Sequence, residues 1–62
     1  MASTIFVKNE NGTEIDFDVA VVLMDDDIRE QIHYENPNLT AQEFYDEYCT
    51  RHYDEFNEYF TI

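Results

Sequence analysis

The side chains in this sequence that could do chemistry are mainly carboxylates. Fifteen of the 62 residues are Asp or Glu and three are Lys or Arg, which gives a formal net charge of −12. Three aspartates are consecutive at residues 25–27, and two pairs of acids spaced four apart follow nearer the C-terminus: Glu43 with Glu47, and Asp54 with Glu58. Such groups could bind a metal ion, act as catalytic acids and bases, or present negative charge to a partner.

Helix capping explains the three consecutive aspartates, Asp25-Asp26-Asp27, better than a metal site does. A calcium loop needs alternating oxygen ligands, a central glycine and a terminal glutamate, whereas Ile28 follows these aspartates directly. Side chains of successive helical residues also point about 100° apart, so they do not converge on one ion. We therefore predict no metal site and no cofactor.

Cys49 and His52 are the other reactive pair, because residues three apart can meet on one side of a helix. Nothing in the sequence orients the histidine as a base, and no glycine-rich turn offers an oxyanion site. A domain this small also lacks room for a cleft that would raise the pKa of one carboxyl group. Packed positions beside the core explain both residues, and the chain is predicted not to be an enzyme.

The N-terminal residues predict an antiparallel β-hairpin around the only glycine, Gly12. A two-residue turn there would pair Phe6 with Phe17, whereas a three-residue loop with Gly12 in the left-handed region would pair Val7 with Ile15. We prefer the second register because it gathers apolar side chains on one face and pairs opposite charges on the other. It also turns Phe6 outward.

Helical spacing follows the hairpin, with one apolar stripe at the 3.6-residue period. Val19, Val22 and Leu23 lie opposite that stripe, so a single straight helix would be buried all round at one end. We expect a break near the three aspartates. A short buried helix would precede it, and an amphipathic helix would follow, starting with a capping box from Asp27 to Glu30.

A last helix is predicted from about Ala41 into the fifties, because Thr40 and Glu43 match a capping box. Its aromatic residues fall on one stripe. The acids on the opposite stripe are Glu43, Glu47, Asp54 and Glu58. Residues 59–62 form either a third strand or a tail. The prediction is one α+β domain over residues 1–62, with an N-terminal hairpin packed on two or three helices.

Like charges four apart destabilise a helix by about 0.2–0.5 kcal/mol, and a surface selected for stability alone would mix signs. Because the acidic excess recurs in three segments, we favour a recognition face over a merely solvated one. The candidate partner-binding residues are Asp25, Asp26, Glu30, Glu43, Asp46, Glu47, Asp54, Glu55 and Glu58. Duplex DNA carries one negative charge per roughly 1.7 Å of its axis. A net charge of −12 on a domain of this size gives the protein a charge density comparable with that of DNA.

In size, charge and its acid-aromatic stretches at 43–48 and 53–59, the chain resembles the small acidic proteins of phages and mobile elements that block host defence, namely anti-CRISPR and anti-restriction DNA mimics. The resemblance implies stoichiometric inhibition, in which carboxylates occupy the Lys/Arg groove that receives target DNA. The implied partner is the basic DNA-binding surface of a protein or CRISPR effector complex. Neither nucleic acid nor an anionic membrane would bind directly, because both would be repelled.

Two other functions stay open at this stage. A non-mimic interaction module, antitoxin-like or an assembly partner, would use Phe6 and tyrosines at the surface. Four tyrosines, at 34, 45, 53 and 59, either cover the core or anchor such an interface. A structural homo-oligomer would add burial to a thin core, so we expect a monomer or a small homo-oligomer. The single cysteine and the lack of a signal-like segment suggest the cytoplasm of a bacterial host cell.

Overall fold

The computed structural model describes residues 4–60. Its elements in chain order are β1 (Phe6–Lys8), β2 (Glu14–Asp16), α1 (Phe17–Leu23), α2 (Asp26–Glu35) and α3 (Ala41–Phe56). The two strands pair antiparallel and three helices follow, so the predicted α+β architecture is confirmed. Among residues 4–60, no helix has both the length and the apolar character that a membrane crossing needs.

The hairpin adopts the preferred register, with Val7 opposite Ile15. Gly12 has φ of 78°, a conformation that costs glycine little because it has no Cβ. Its N–H donates to the Asn9 carbonyl at 3.0 Å. The Asn9 side-chain oxygen accepts two further N–H bonds from the loop. Local hydrogen bonding and one glycine thus set the register of both strands.

The predicted helix break is confirmed, but its cap lies at a different residue. Asp25 is the N-cap of α2, and its carboxylate accepts the Ile28 N–H at 3.2 Å. The predicted capping box from Asp27 to Glu30 is therefore wrong, because the helix has already begun at Asp26. The backbone N–H of Asp25 donates to Oη of Tyr48 at 2.6 Å. This bond ties the break to α3.

The expectation that α1 is a buried helix is wrong. Only Ala20 is fully buried in it, while Val19 and Leu23 are exposed and Val22 is 80% exposed. A chain of this length has too few elements to cover both sides of every helix. The aliphatic residues opposite the α1 stripe therefore face solvent.

The core lies where β1, α1, α2 and α3 meet. Its fully buried members are Val7, Ala20, Met24, Ile28, Ile32, Tyr45 and Tyr48. Aromatic rings extend it, since Phe17 and Phe44 pack edge to face at 6.0 Å between centroids. Of the four tyrosines considered for the surface, Tyr45 belongs to the core, whereas Tyr34 is 89% exposed.

The chain reverses after α3 and does not add a strand to the hairpin. Asn57 caps α3 in the left-handed conformation, with φ of 57°. Phe60 then packs on α3, with its ring centroid 4.8 Å from that of Tyr48. Tyr59 and Phe60 are not in a strand, and the rest of the predicted segment, residues 61–62, lies outside the described residues. The alternative of a third strand is therefore wrong for residues 59–60.

Candidate functional site

Within residues 4–60, most carboxylates have no Lys or Arg partner. All fifteen acids and all three Lys or Arg residues lie within residues 4–60. Arg29 pairs with Asp26 at 3.0 Å, and Arg51 pairs with Glu35 at 2.8 Å and Glu47 at 3.0 Å. In this part of the chain, three of the fifteen acids are thus in ion pairs with a Lys or Arg, which leaves twelve. The protein presents a strongly negative surface.

One group of acids shares the outer side of α3 and one edge of the hairpin loop. Glu43, Asp46 and Glu47 line a shallow groove of about 320 Å³. Asp46 also lines a second groove of about 380 Å³, together with Asp54 and with Glu10 of the hairpin loop. Because the two grooves share Asp46, these five residues form one continuous surface, which we call the acidic face.

Glu10 was not among the predicted residues, because its place beside α3 follows from how the hairpin packs. Gln42 makes that connection: its side-chain oxygen accepts the Lys8 N–H at 2.7 Å, and its amide donates to the Lys8 carbonyl at 2.9 Å. The same amide lies 3.1 Å from Oδ1 of Asp46. One glutamine thus joins β1 to the centre of the acidic face.

The N-terminal end of the acidic face is held by the predicted capping box, which is confirmed. Thr40 N–H donates to Oε1 of Glu43 at 3.0 Å, and Glu43 N–H donates to Oγ1 of Thr40 at 3.2 Å. Hydrogen bonds from the Thr40 backbone and then its side chain lower the pKa of Glu43. Glu43 therefore remains ionised at neutral pH while it caps α3.

Glu47 is the acid of this face whose charge is most compensated. It is half-buried, and Nε of Arg51 lies 3.0 Å from its Oε1. Arg51 also donates two hydrogen bonds to Glu35, and that hydrogen bonding lowers the pKa of Glu35. Arg51 therefore neutralises charge at the edge of the acidic face and joins α2 to α3.

The predicted acids of α2 do not join the acidic face. Asp25 is half-buried and occupied as the N-cap, and Asp26 is paired with Arg29. Glu30 is exposed, but it lines a different groove together with Tyr34. The recurrence of acids in three segments placed these residues in one set, whereas the packing of α2 puts them away from the acidic face.

Two predicted acids near the C-terminus, Glu55 and Glu58, also lie outside the acidic face. Glu55 follows the buried Tyr48 by seven residues, or about two turns, so both side chains lie on the same side of α3. Glu55 is nevertheless exposed. Glu58 lies beyond the end of α3, and its carbonyl is 2.8 Å from Nδ1 of His52. The predicted stripe of four acids therefore ends at Asp54.

A larger groove, which sequence reasoning missed, lies between α2 and the start of α3. Its volume is about 1130 Å³, and we call it the α2–α3 groove. The apolar residues that line it include Ile5, Phe17, Val21, Leu39 and Phe44. Asp27, Glu30 and Tyr34 line it from α2. One local signal was present: the spacing of these three residues puts a tyrosine and two acids on one side of α2.

Cys49 and His52, the reactive pair considered from the sequence, are packed beside the core and are not activated for catalysis. Burial, the largest cause, raises the pKa of the Cys49 thiol, so the thiol stays protonated and is a poor nucleophile at neutral pH. The His52 ring packs against Phe56 and Phe60, with centroids 4.8 and 5.5 Å away. In the described ranges, no three His, Cys, Asp or Glu side chains are grouped so as to hold a metal ion.

Residues 8–60 match the family described as anti-CRISPR protein AcrIC5. The match spans the acidic face, all three helices and every residue named as lining the α2–α3 groove except Ile5. The curated proteins contain no match to the chain. Anti-CRISPR proteins of this kind are non-enzymatic inhibitors that act in the host cell on a CRISPR effector. The chain therefore belongs to the AcrIC5 family of anti-CRISPR proteins.

Proposed function

We propose that this protein inhibits its CRISPR effector by DNA mimicry, with the acidic face bound where the effector receives target DNA. The observation that carries the proposal is the continuous surface formed by four acids of α3 and Glu10. Effectors hold nucleic acid in positively charged channels through backbone contacts. A surface that carries several neighbouring carboxylates can pair with the same Lys and Arg side chains.

The dimensions of the acidic face support this mode of binding. Glu43 and Asp54 are eleven residues apart on α3, which corresponds to a rise of about 16 Å. One strand of duplex DNA carries a phosphate every 3.4 Å of axis, so this length corresponds to about five phosphates. Four carboxylates lie over the same distance, and three of them have no Lys or Arg partner within the described residues, so the linear density of negative groups is comparable.

The rigid attachment of α3 to the rest of the fold also supports DNA mimicry. The capping box begins α3, Gln42 ties the helix to β1, and Tyr48 ties it to the start of α2. These bonds hold the backbone of the acidic face in place before any partner arrives. A partner therefore loses little free energy in ordering this surface, and electrostatic attraction speeds the encounter.

The acids of the acidic face should contribute unequally. Asp46 and Asp54 are exposed and have no Lys or Arg partner within the described residues, so both are free to pair with the effector. Glu47 already binds Arg51, so it adds less net charge. The remaining predicted residues, Asp25, Asp26, Glu30, Glu55 and Glu58, are proposed to take no part in DNA mimicry by the acidic face.

Affinity for the purified effector, measured at several salt concentrations, tests the proposal. Binding should weaken steeply with salt, and target DNA should compete with it. The variant Asp46→Lys with Asp54→Lys should abolish binding. The control Glu14→Lys with Asp18→Lys makes the same change in net charge outside the acidic face. An affinity that does not change with salt, or an equal loss in both variants, would contradict DNA mimicry.

The exposed side chain of Phe6 favours a second binding mode, through apolar contacts. Phe6 is 56% exposed, and a large exposed aromatic side chain is a common interface anchor. In this mode the inhibitor binds the effector through apolar contacts and does not imitate DNA. Binding would then tolerate salt, and Phe6→Ala would disrupt it, whereas charge reversal on α3 would have little effect.

A further inference from the structure

The α2–α3 groove is larger than either groove of the acidic face, and the acidic face does not include it. Its volume of about 1130 Å³ is large enough to accept several side chains of a partner. Phe17 and Phe44 pack edge to face in its lining, and Leu39 lies beside them. This lining offers apolar contact area that the fold itself leaves uncovered.

Polar residues of α2 define the chemistry of one side of the groove. Asp27 and Glu30 line it and have no Lys or Arg partner within residues 4–60. Arg29 also lines it, but its guanidinium is held by Asp26 and by the Val21 carbonyl. The uncompensated charge along this side is therefore negative.

Charge decides which occupant fits. A second copy of this chain would bring another net charge of −12, and like charges oppose such an association. A partner segment with a positive side chain between apolar ones is complementary to both parts of the groove. We propose that the α2–α3 groove binds a segment of the CRISPR effector that carries an Arg or Lys flanked by apolar residues.

The proposal rests on the proposed function only in taking the effector as the partner, and it does not require DNA mimicry. The aliphatic stem of the basic residue packs on Leu39 and Phe44, while its charged end pairs with Glu30. Tyr34, which is 89% exposed, closes over the segment. Because a tyrosine has few rotatable bonds, it adds contact area at a small entropic cost.

Two substitutions in the full chain test the groove against matched controls. Tyr34→Ala should weaken binding to the purified effector about tenfold, a typical loss at an aromatic anchor. The slope of affinity against salt should not change, because Tyr34 is uncharged. Glu30→Gln should weaken binding severalfold. The controls Val22→Ala and Glu14→Gln, both outside the groove, should change affinity less than twofold.

A photo-reactive phenylalanine analogue in place of Tyr34 identifies the occupant directly. The expected product is a cross-link to a peptide of an effector protein that contains Arg or Lys beside apolar residues. The proposal is overturned if Tyr34→Ala and Glu30→Gln both retain full affinity. It is also overturned if the cross-linked peptide has no basic residue, if a second copy of the inhibitor is captured, or if no cross-link forms although binding is retained.

The outcomes separate this proposal from DNA mimicry. If reversing Asp46 and Asp54 abolishes binding while the groove variants bind normally, the groove proposal fails and mimicry stands. If the groove variants lose affinity while charge reversal on α3 has no effect, mimicry fails and the groove remains the binding site. Loss in both sets means that the effector contacts two surfaces of the inhibitor.

Discussion

Removing the hydroxyl of Tyr48 should destabilise the protein by breaking the bond that joins the start of α2 to α3. Tyr48 is 1% exposed, and its Oη accepts the backbone N–H of Asp25 at 2.6 Å. Tyr48→Phe keeps the ring and leaves that N–H without its partner. Because Asp25 is half-buried, we expect a loss of about 1–2 kcal/mol in the free energy of unfolding, in the lower part of the range for an unsatisfied buried donor.

The assay is thermal unfolding followed by circular dichroism at neutral pH. For a domain of this size, each kcal/mol corresponds to a decrease of roughly 4–8 °C in Tm. Tyr53→Phe is the control, since it removes a phenol hydroxyl from an exposed position on the same helix. Equal Tm values for Tyr48→Phe and the unmodified protein would refute the inference that this hydrogen bond holds the two helices together.

Four further predictions follow from other residues. Thr40→Ala removes the side-chain hydrogen bond of the capping box and should cost about 1 kcal/mol of stability, whereas Thr40→Ser should not; equal melting of the two would contradict the role of this bond. The pKa of Glu43 is lowered by folding, so its charge stabilises the fold above the unfolded pKa, about 4.3, and this contribution is lost as pH falls through the folded pKa. The Tm difference from Glu43→Gln should therefore be present at pH 6 and vanish in acid; a difference independent of pH would refute this. Cys49, whose thiol pKa burial raises, should react with iodoacetamide more slowly than free cysteine at pH 7; an equal rate would count against it. Phe6→Ala should leave Tm nearly unchanged because the side chain is exposed; a large loss of effector affinity would favour the apolar binding mode over charge mimicry.

Much of the secondary structure could be predicted because its causes are local. The capping box of Thr40 and Glu43 depends on two side chains three residues apart. The hairpin register depends on Gly12, whose left-handed conformation favours one loop length. The break before α2 follows from a change in the apolar pattern, whereas its cap was predicted at Asp27 and lies at Asp25. Each of these features needs no contact with a distant part of the chain.

The candidate site was predicted less completely, because membership of a surface depends on packing. Helical spacing correctly joined Glu43, Glu47 and Asp54. It could not anticipate that Asn57 would end the helix in the left-handed conformation, which removed Glu58 from the stripe. Glu10 enters the acidic face only because Gln42 holds the hairpin against α3.

Composition by itself determined that the protein carries a net charge of −12 and must present it at the surface, because buried unpaired charge is too costly. Tertiary structure alone decided how that charge is divided. Arg51 and Arg29 compensate three acids, α3 and the hairpin loop gather five into one face, and α2 directs others to a separate apolar groove. The physical reason is that a carboxylate can be exposed in any direction, and only the packing of the helices and the hairpin selects that direction.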